Sequence, residues 1–431
     1  MLNVNFLTLG CPKNEADTAA MRACIEASDY YLVEDSDDAD IIVINTCAFI
    51  ESATEESIEA ILETAHEWLP QKEGRHILVA GCLPSRYGDD ISSEMSEVSA
   101  LLRVVDEQNI CATIENLTGV PAHFDKSRCV AAVTAPYAYI KIADGCNKSC
   151  AYCTIPFIRG AYKSQPLDQI LEEGRSLGEQ GVSELILIAQ DTTQYGSDLD
   201  TGETLVDVIN ALCELDSIER VRLMYLQPDG VTDELLATMA HQPKVAHYVE
   251  MPLQHSVRTI LRTMNRNGEG AEFKALIEKI RNYMPDVVLR TTLIVGYPGE
   301  TEDDFEDLLE FISDVEFDYV GVFPFSPEDG TQAALLGDLV EDDLKLERVQ
   351  AVRDTADSIG WSRASARIGT EVDVLVEGIT DGELYGRFYG QAPDIDGIVR
   401  LSSRADEHVT IGSWTKAKIF DSILYDLDGL M

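Results

Sequence analysis

The chain opens on short apolar runs that alternate with amphipathic stretches. VNFLTL (4–9), IIVINT (41–46) and ILVA (77–80) are rich in Val, Ile and Leu and predict buried strands. Between the last two, ESATEESIEAILETAHEWL places Ile58, Ile61, Leu62, Ala65 and Leu69 at helical spacing, with Ser52 and Glu55 in the pattern of a capping box. Acidic stretches such as 34–40 read as solvated turns. Alternating strands and helices over 1–117 predict an α/β domain on a parallel sheet. Residues 118–135 lack periodicity and read as a linker. From 136 to 364 a longer series follows, with strands at 137–143, 185–189, 221–226, 246–251, 287–295 and 319–323 and helices such as 167–181 and 301–315. Six βα units predict a partial barrel, whose working face is the carboxyl end of its strands. Over 365–431 the pattern changes to short strands separated by Gly and Asp: VDVLVEG, LYGRFYG, GIVRLS, HVTIGSWTKAKIF and SILYDL. These predict a small β-barrel.

A length of 431 residues exceeds one ordinary core, and 45% apolar content suits a globular protein. No run of about 18 apolar residues predicts a transmembrane helix. The start MLNVNFLTLG lacks the basic flank and cleavage site of a signal peptide, so a cytoplasmic location is expected. Ten cysteines are too sparse for a disulfide scaffold, and a reducing compartment suits metal-cluster ligands. The balance of 33 basic against 77 acidic residues gives a net charge of −44. That field disfavours extended contact with a phosphate backbone and favours a basic protein partner. An acidic, salt-adapted proteome gives the same composition, and both explanations stand at this point. The last domain repeats the bias: from Ser365 to Met431 there are six Arg or Lys against twelve Asp or Glu.

The cysteines carry the chemistry. GCNKSCAYC sets Cys146, Cys150 and Cys153 at C-x3-C-x2-C, directly after the first strand of the second series. Closed structural zinc sites and electron-transfer clusters normally take four protein ligands. Three on a cubane iron–sulfur cluster leave one iron open to a substrate or cofactor. The plain alternative is a three-cysteine zinc site completed by a distant His. A second triad is spread along the first domain: Cys11 ends VNFLTLGC, Cys47 ends IIVINTC and Cys82 ends HILVAGC. Each follows a strand, and ligands of open parallel sheets gather at the strands' carboxyl ends. The alternative is three buried core cysteines. Cys24, Cys111, Cys129 and Cys213 read as ordinary packing residues. Gln190 and Asp191 stand at a strand end as site-lining candidates or solvated turn residues, and His255, at another strand end, reads equally as a packing residue or a substrate contact. In IVGYPGET, Gly296 and Gly299 permit close backbone approach to a ligand, with Thr301 an N-cap candidate.

The C-x3-C-x2-C loop followed by Ile155-Pro156 resembles the radical S-adenosylmethionine (SAM) superfamily. The resemblance implies that a [4Fe-4S] cluster on Cys146, Cys150 and Cys153 binds SAM at its open iron and splits it to a 5′-deoxyadenosyl radical. It implies that Tyr152 lies against the adenine and that Gly296, Pro298, Gly299 and Glu300 help to hold SAM, with Gln190 lining the same site. With the second triad, the chain resembles the methylthiotransferase family over nearly its whole length. GCPKN (11–14 within it), NTCAFI, GCLPSRY, ELILIAQDTTQYG, MPLQHS and APDIDG are similar to the RimO branch, which modifies a ribosomal protein. The tRNA-modifying MiaB-type branch tends to GCQMN-like and NTCSIR-like motifs. The resemblance implies two [4Fe-4S] clusters, the second on Cys11, Cys47 and Cys82 to present sulfur, a second SAM as methyl donor, and an external electron donor and sulfur donor. The implied reaction adds a methylthio group to the β-carbon of an aspartate in small-subunit ribosomal protein S-twelve.

The last domain resembles TRAM, which grips RNA in tRNA modifiers. Here Tyr385, Phe388 and Tyr389 are base-stacking candidates, but without a basic groove they read as core or protein-contact residues. Arg387 and Arg400 remain contact candidates. The rival readings are a tRNA adenosine methylthiotransferase, a non-enzymatic iron–sulfur electron carrier and an RNA-binding adaptor. SAM cleavage separates the enzymes from the carrier, and the acidic C-terminal domain weighs against RNA contact.

Overall fold

The structure is a computed structural model that describes residues 2–125, 133, 135–337, 339–380, 382–402 and 409–431. Among them no helix is long and apolar enough to cross a membrane. The first domain is a five-stranded parallel sheet of β1 (Asn3–Thr8), β2 (Tyr31–Leu32), β3 (Ile41–Thr46), β4 (His76–Gly81) and β5 (Val98–Arg103), in the order β2-β1-β3-β4-β5. Ile42, Ile44, Ile77 and Val79 pack on one face and Val4, Ile41, Val43 and Leu78 on the other, so the apolar runs are continuous because both faces are covered. The pairings Thr8↔Asn45 and Thr46↔Gly81 bring the carboxyl ends of β1, β3 and β4 level. Cys24 and Cys111 are buried in this domain and Cys213 packs half-buried on the barrel, while Cys129 and the linker stretch around it lie outside the described residues.

Two details of the 51–69 expectation change. The helix runs Glu51–Glu63 with Ile50 at its cap, so Ser52 lies inside the first turn and no Ser52–Glu55 box forms. Its terminus is capped from another domain: Glu51 N–H donates to Glu328 Oε1 at 2.8 Å. Ile61 and Ala65 are buried, whereas Ile58 and Leu62 face solvent. The helix then widens to a π turn over Thr64–Trp68, and Trp68 Nε1 donates to the Ser36 carbonyl at 2.6 Å.

The central domain carries β6 (Tyr137–Lys141), β7 (Ala143–Asp144), β8 (Lys163–Ser164), β9 (Glu184–Ile188), β10 (Arg220–Leu223), β11 (Tyr248–Gln254), β12 (Val288–Val295) and β13 (Tyr319–Pro324). β6-β9-β10 and β11-β12-β13 form two parallel triplets, joined by a bridge between Val221 and Val245. The six strands make the expected partial barrel, with helices such as Leu167–Glu179 and Glu302–Val315 outside it. Thr301 and Asp304 form a reciprocal cap on the latter helix. The small antiparallel pair β7–β8 closes the base of the Cys146–Cys153 loop.

The C-terminal domain is a closed barrel of β14 (Glu371–Thr380), β15 (Glu383–Arg387), β16 (Val399–Ser402), β17 (Trp414–Ile423) and β18 (Asp426–Leu430), in the order β14-β15-β16-β18-β17. The expected strand from His408 starts only at Trp414, and its first residue lies outside the described residues. This barrel is docked on the central one by buried charge. Glu184 accepts from Arg222 Nε at 2.7 Å and from Arg387 Nη2 at 3.0 Å, and Arg387 also pairs with Glu377. Arg387 is therefore buried in a domain junction and is not an exposed contact residue. Phe388 is buried, Tyr389 donates to the Asp286 carbonyl at 2.8 Å, and Arg400 pairs with Asp426 and Asp428. The APDIDG loop follows the same logic: Asp396 accepts from Arg290 at 2.6 Å and from the Tyr248 hydroxyl at 2.7 Å. Ala392 packs with Ile186, Ile188, Met224, Tyr248 and Val288, side chains of the barrel strands and their ends, and so stops one end of the barrel.

Burial alone would raise the Glu184 carboxyl, but Arg222, then Arg387 and Arg220, hold it down at about 2. Because this folded value lies below the ordinary carboxylate range, the stabilisation is complete above about pH 4.5 and is lost as pH falls toward 2, a total of about 3 kcal/mol. Glu184→Gln is expected to lower stability at pH 7 by about that amount and to flatten the acid limb of the stability curve. Urea titrations at several pH values, followed by tryptophan fluorescence, check both effects.

Candidate active site at the junction of two cysteine triads

The first triad is set by polar side chains at three strand ends. Asn14 Nδ2 donates to the Thr46 carbonyl at 2.8 Å, and Asn45 Nδ2 returns to the Asn14 carbonyl at 2.9 Å. These bonds fasten the segment after Cys11 to the segment before Cys47. Ser57 Oγ accepts from Cys47 N–H at 3.1 Å and donates to the Cys47 carbonyl at 2.8 Å. Thr46 Oγ1 donates to the Ala80 carbonyl at 2.6 Å, fixing the approach to Cys82. Gly10 and Gly81 both have positive φ, +99° and +93°, and no room for a side chain: a Cβ on Gly10 would stand 2.7 Å from Cys47 Cβ. The mutual influence of the Cys47 and Cys82 thiols pulls Cys47 down and, with burial, pushes Cys82 up. The structure thus brings all three cysteines to one sheet edge.

The second triad sits on a loop held at both ends. Cys146 N–H donates to the Gly160 carbonyl at 3.1 Å, and Ala151 N–H to the Met264 carbonyl at 2.9 Å. Asn265 Nδ2 donates to the Ser149 carbonyl at 2.7 Å. Cys146 Sγ accepts from Lys148 N–H at 3.4 Å, and Cys150 Sγ lies 3.8 Å from Arg266 Nη1. Burial raises the Cys146 thiol and pushes Cys153 up to about 12, and the charge of Cys150 adds to both. A bare thiolate is therefore costly here, and a cationic metal centre would relieve it. Among the described residues no three His, Cys, Asp or Glu side chains close around a single metal ion. Grouped thiols with cationic donors at the sulfurs fit a cluster on each triad.

The two triads are linked directly. Thr154, next to Cys153, donates from Oγ1 to the Phe49 carbonyl, two residues past Cys47, at 3.1 Å. Ile158 of the short helix Ile155–Arg159 packs into the core of the first domain. Asp17 of the helix Pro12–Glu26 is buried between Lys141 and Arg159, the latter at 2.8 Å. Arg159 also pairs with Asp144 and lies 3.9 Å from Cys82 Sγ. Burial alone would raise Asp144, but Lys141 and Arg159 hold it at about 2. A second buried pair, Arg86–Glu328 at 2.8 Å, ties the domains on the Cys47 side.

The residues expected to hold SAM fall into two groups. Gln190 donates to Asp144 at 3.1 Å, and its Oε1 is buried without a hydrogen-bond partner among the described residues. Asp191 lies 3.2 Å from Lys148, and Tyr152 is half-buried beside Arg266 and Cys150. The IVGYPGET turn is filled largely by protein. A Cβ on Gly296 would meet Lys345 Cγ at 2.3 Å, so that glycine makes room for a lysine stem. Pro298 is buried, and the Glu300 carboxylate takes Gly296 N–H, Tyr297 N–H and Arg348 Nη1, the last at 2.7 Å. His255 Nε2 faces it at 3.5 Å. Gly299, with φ +84° and nothing within 4 Å of an added Cβ, is the position left open. A cleft of about 280 Å³ opens beside Cys150, lined by Asn147, Lys148, Gln227, Asp229 and Arg266 among others. Sequence reasoning missed Lys13, Asp17, Lys141, Asp144, Arg159 and Arg266. The one available signal was that Lys13, Lys141 and Arg159 are basic residues near triad cysteines in a strongly acidic chain.

Residues 3–103 match the family described as "Uncharacterized protein family UPF0004", residues 140–312 the Radical SAM superfamily and residues 368–431 the TRAM domain. Among solved structures, the radical S-adenosylmethionine methyltransferase TsrM from Kitasatospora setae shares the fold, with TM-score 0.56 and 12% identity over 77% of this chain and 76% of that one. Fold and site define a radical SAM protein with an N-terminal sheet domain and a C-terminal TRAM barrel. "Ribosomal protein uS12 methylthiotransferase RimO" from Alkaliphilus oremlandii is 39% identical, covering 99% of this chain and 98% of its own. The protein of the same name from Geobacter sulfurreducens is 39% identical over 99% and 98%. The chain belongs to the RimO family of ribosomal protein methylthiotransferases.

Because Gly10 abuts Cys47, Gly10→Ala is expected to disturb the first triad alone. Iron per reconstituted chain should fall from about eight toward about four. Gly299→Ala, at an equally positive φ but in open space, should cost about 1 kcal/mol and leave iron unchanged. Colorimetric iron assays on the two variants, with melting curves alongside, test the contrast.

Proposed function

We propose that this chain is a cytoplasmic radical SAM methylthiotransferase that adds a methylthio group to the β-carbon of an aspartate in ribosomal protein S-twelve. The observation that carries the reading is the convergence of the two triads, with the residue after Cys153 hydrogen-bonded to the segment after Cys47. Cys146, Cys150 and Cys153 would hold a [4Fe-4S] cluster that serves SAM, and Cys11, Cys47 and Cys82 would hold a second. Bound SAM and its cluster supply a radical able to take hydrogen from an unactivated carbon, chemistry beyond acid–base side chains.

The chain's own residues position and shield. Gln190 offers its buried, unpartnered Oε1 to the cofactor. Tyr152 and the open backbone at Gly299 flank it, while Glu300 and Arg348 brace the turn from behind. The Asp17 network and the Arg86–Glu328 pair hold the Cys11/Cys47/Cys82 triad over the barrel. An external electron donor and a sulfur donor complete the reaction. The C-terminal barrel, with Arg387 buried and Arg400 paired to acids, suits a basic protein surface better than a phosphate backbone.

Cys150→Ala is expected to abolish SAM cleavage, whereas Cys47→Ala should still form 5′-deoxyadenosine but insert no sulfur. The substrate is tested by offering small ribosomal subunits and bulk tRNA together to the reconstituted, reduced enzyme. Mass spectrometry should find the methylthio group on an aspartyl peptide. A gain on a nucleoside would overturn the substrate, and absence of both products and of 5′-deoxyadenosine would favour an electron carrier.

A further inference from the structure

Lys13 leaves the first turn of the helix Pro12–Glu26, two residues after Cys11 and one turn before the docking residue Asp17. It is only 7% exposed. Its Nζ stands 3.1 Å from the centroid of the Tyr225 ring, just beyond the end of β10. The side chain thus reaches from the sheet domain into the barrel, beside the end that carries both triads. Ala16 of the same helix packs against the barrel's inner cluster.

Among the described residues, Lys13 makes no ion pair or hydrogen bond to a carboxylate. Buried cations at this end of the barrel such as Arg159 and Arg348 do have such partners, in Asp17 and Glu300. Of the negative groups near Lys13, the Cys11 sulfur acts on it first and Glu250 after it, but among the described residues neither is paired with its ammonium, and Glu250 accepts the Tyr225 N–H and is itself deeply buried. A buried cation without an anion is costly, and an aromatic face offsets only part of that cost. A site that keeps such a cation is prepared for an anion from outside.

We propose that Lys13 is a specificity-determining residue that receives the carboxylate of the substrate aspartate. The inference rests on the aspartyl substrate proposed above. In an aspartate the carboxylate is bonded to the β-carbon, so holding one places the other. A cation two residues from Cys11 would set that carbon beside the sulfur-presenting triad. A glutamate would place its own β-carbon one bond further from the anchored group. An asparagine would leave the cation unpaired.

The test is binding, independent of turnover. Purified S-twelve and its variant with asparagine at the target aspartate are titrated, without reductant, against the reconstituted enzyme, Lys13→Gln and Lys13→Arg. Iron per chain is measured for each. The wild type should bind the aspartyl protein about tenfold more tightly than the asparaginyl one. Lys13→Gln should bind both equally, at the weaker level and with unchanged iron, and Lys13→Arg should keep a preference. An undiminished preference in Lys13→Gln would overturn the role of Lys13 and leave the substrate reading intact. Lost iron, with an equal loss of affinity for both proteins, would also overturn it, assigning Lys13 to the charge of the triad. A wild type that binds neither protein would overturn the substrate reading and this inference with it.

Discussion

The Asp17 carboxylate, buried between Lys141 and Arg159, is the contact on which the rest of the site depends. It belongs to a helix that begins immediately after Cys11, and its two cations flank the Cys146–Cys153 loop. One ionic junction therefore fixes the position of one cysteine set relative to the other. Such a junction is dearer to form than an apolar contact of the same size, because both signs must leave water. It is also harder to break from one side, since a lone buried charge would remain. The three-way geometry with Asp144 and Gln190 extends the same constraint to the end of the first two barrel strands.

Charge is distributed unevenly in a way that follows from this. The chain carries −44 overall, yet Arg159, Lys148 and Arg266 lie against or near the cysteines. Cationic groups near thiolates favour the deprotonated, ligating form. The remaining buried arginines serve domain docking. Arg222 and Arg387 meet on Glu184, and Arg290 meets Asp396 of the APDIDG loop. The C-terminal barrel is thereby locked to the central one, with its stopper loop inside the barrel end.

Most of the architecture was legible in the sequence because it rests on periodicity. Every residue of the β3 strand is buried, four of its six being Ile or Val, and β9 of the barrel has a similar signature. The cysteine spacing marked the chemistry because few local patterns mimic it. What escaped has a common physical cause. The helix Pro12–Glu26 buries Lys13, Asn14, Asp17 and Thr18, a polar face that no hydrophobic pattern reveals. The capping of Glu51 by Glu328 joins residues far apart in sequence, so a local Ser52–Glu55 pattern looked sufficient. Gly296 read as an approach for ligand, but only the fold shows Lys345 filling that space. Arg387 read as an exposed contact because its three partners lie in separate segments.

The central claim is that both triads bind clusters and that the buried junction keeps those clusters close. The direct measurement is electron paramagnetic resonance on the reconstituted, dithionite-reduced protein, with iron counted on the same sample. The account predicts about eight irons per chain and a spectrum broadened by coupling between two reduced clusters. About four irons, or two sharp signals that add without interaction, would contradict it.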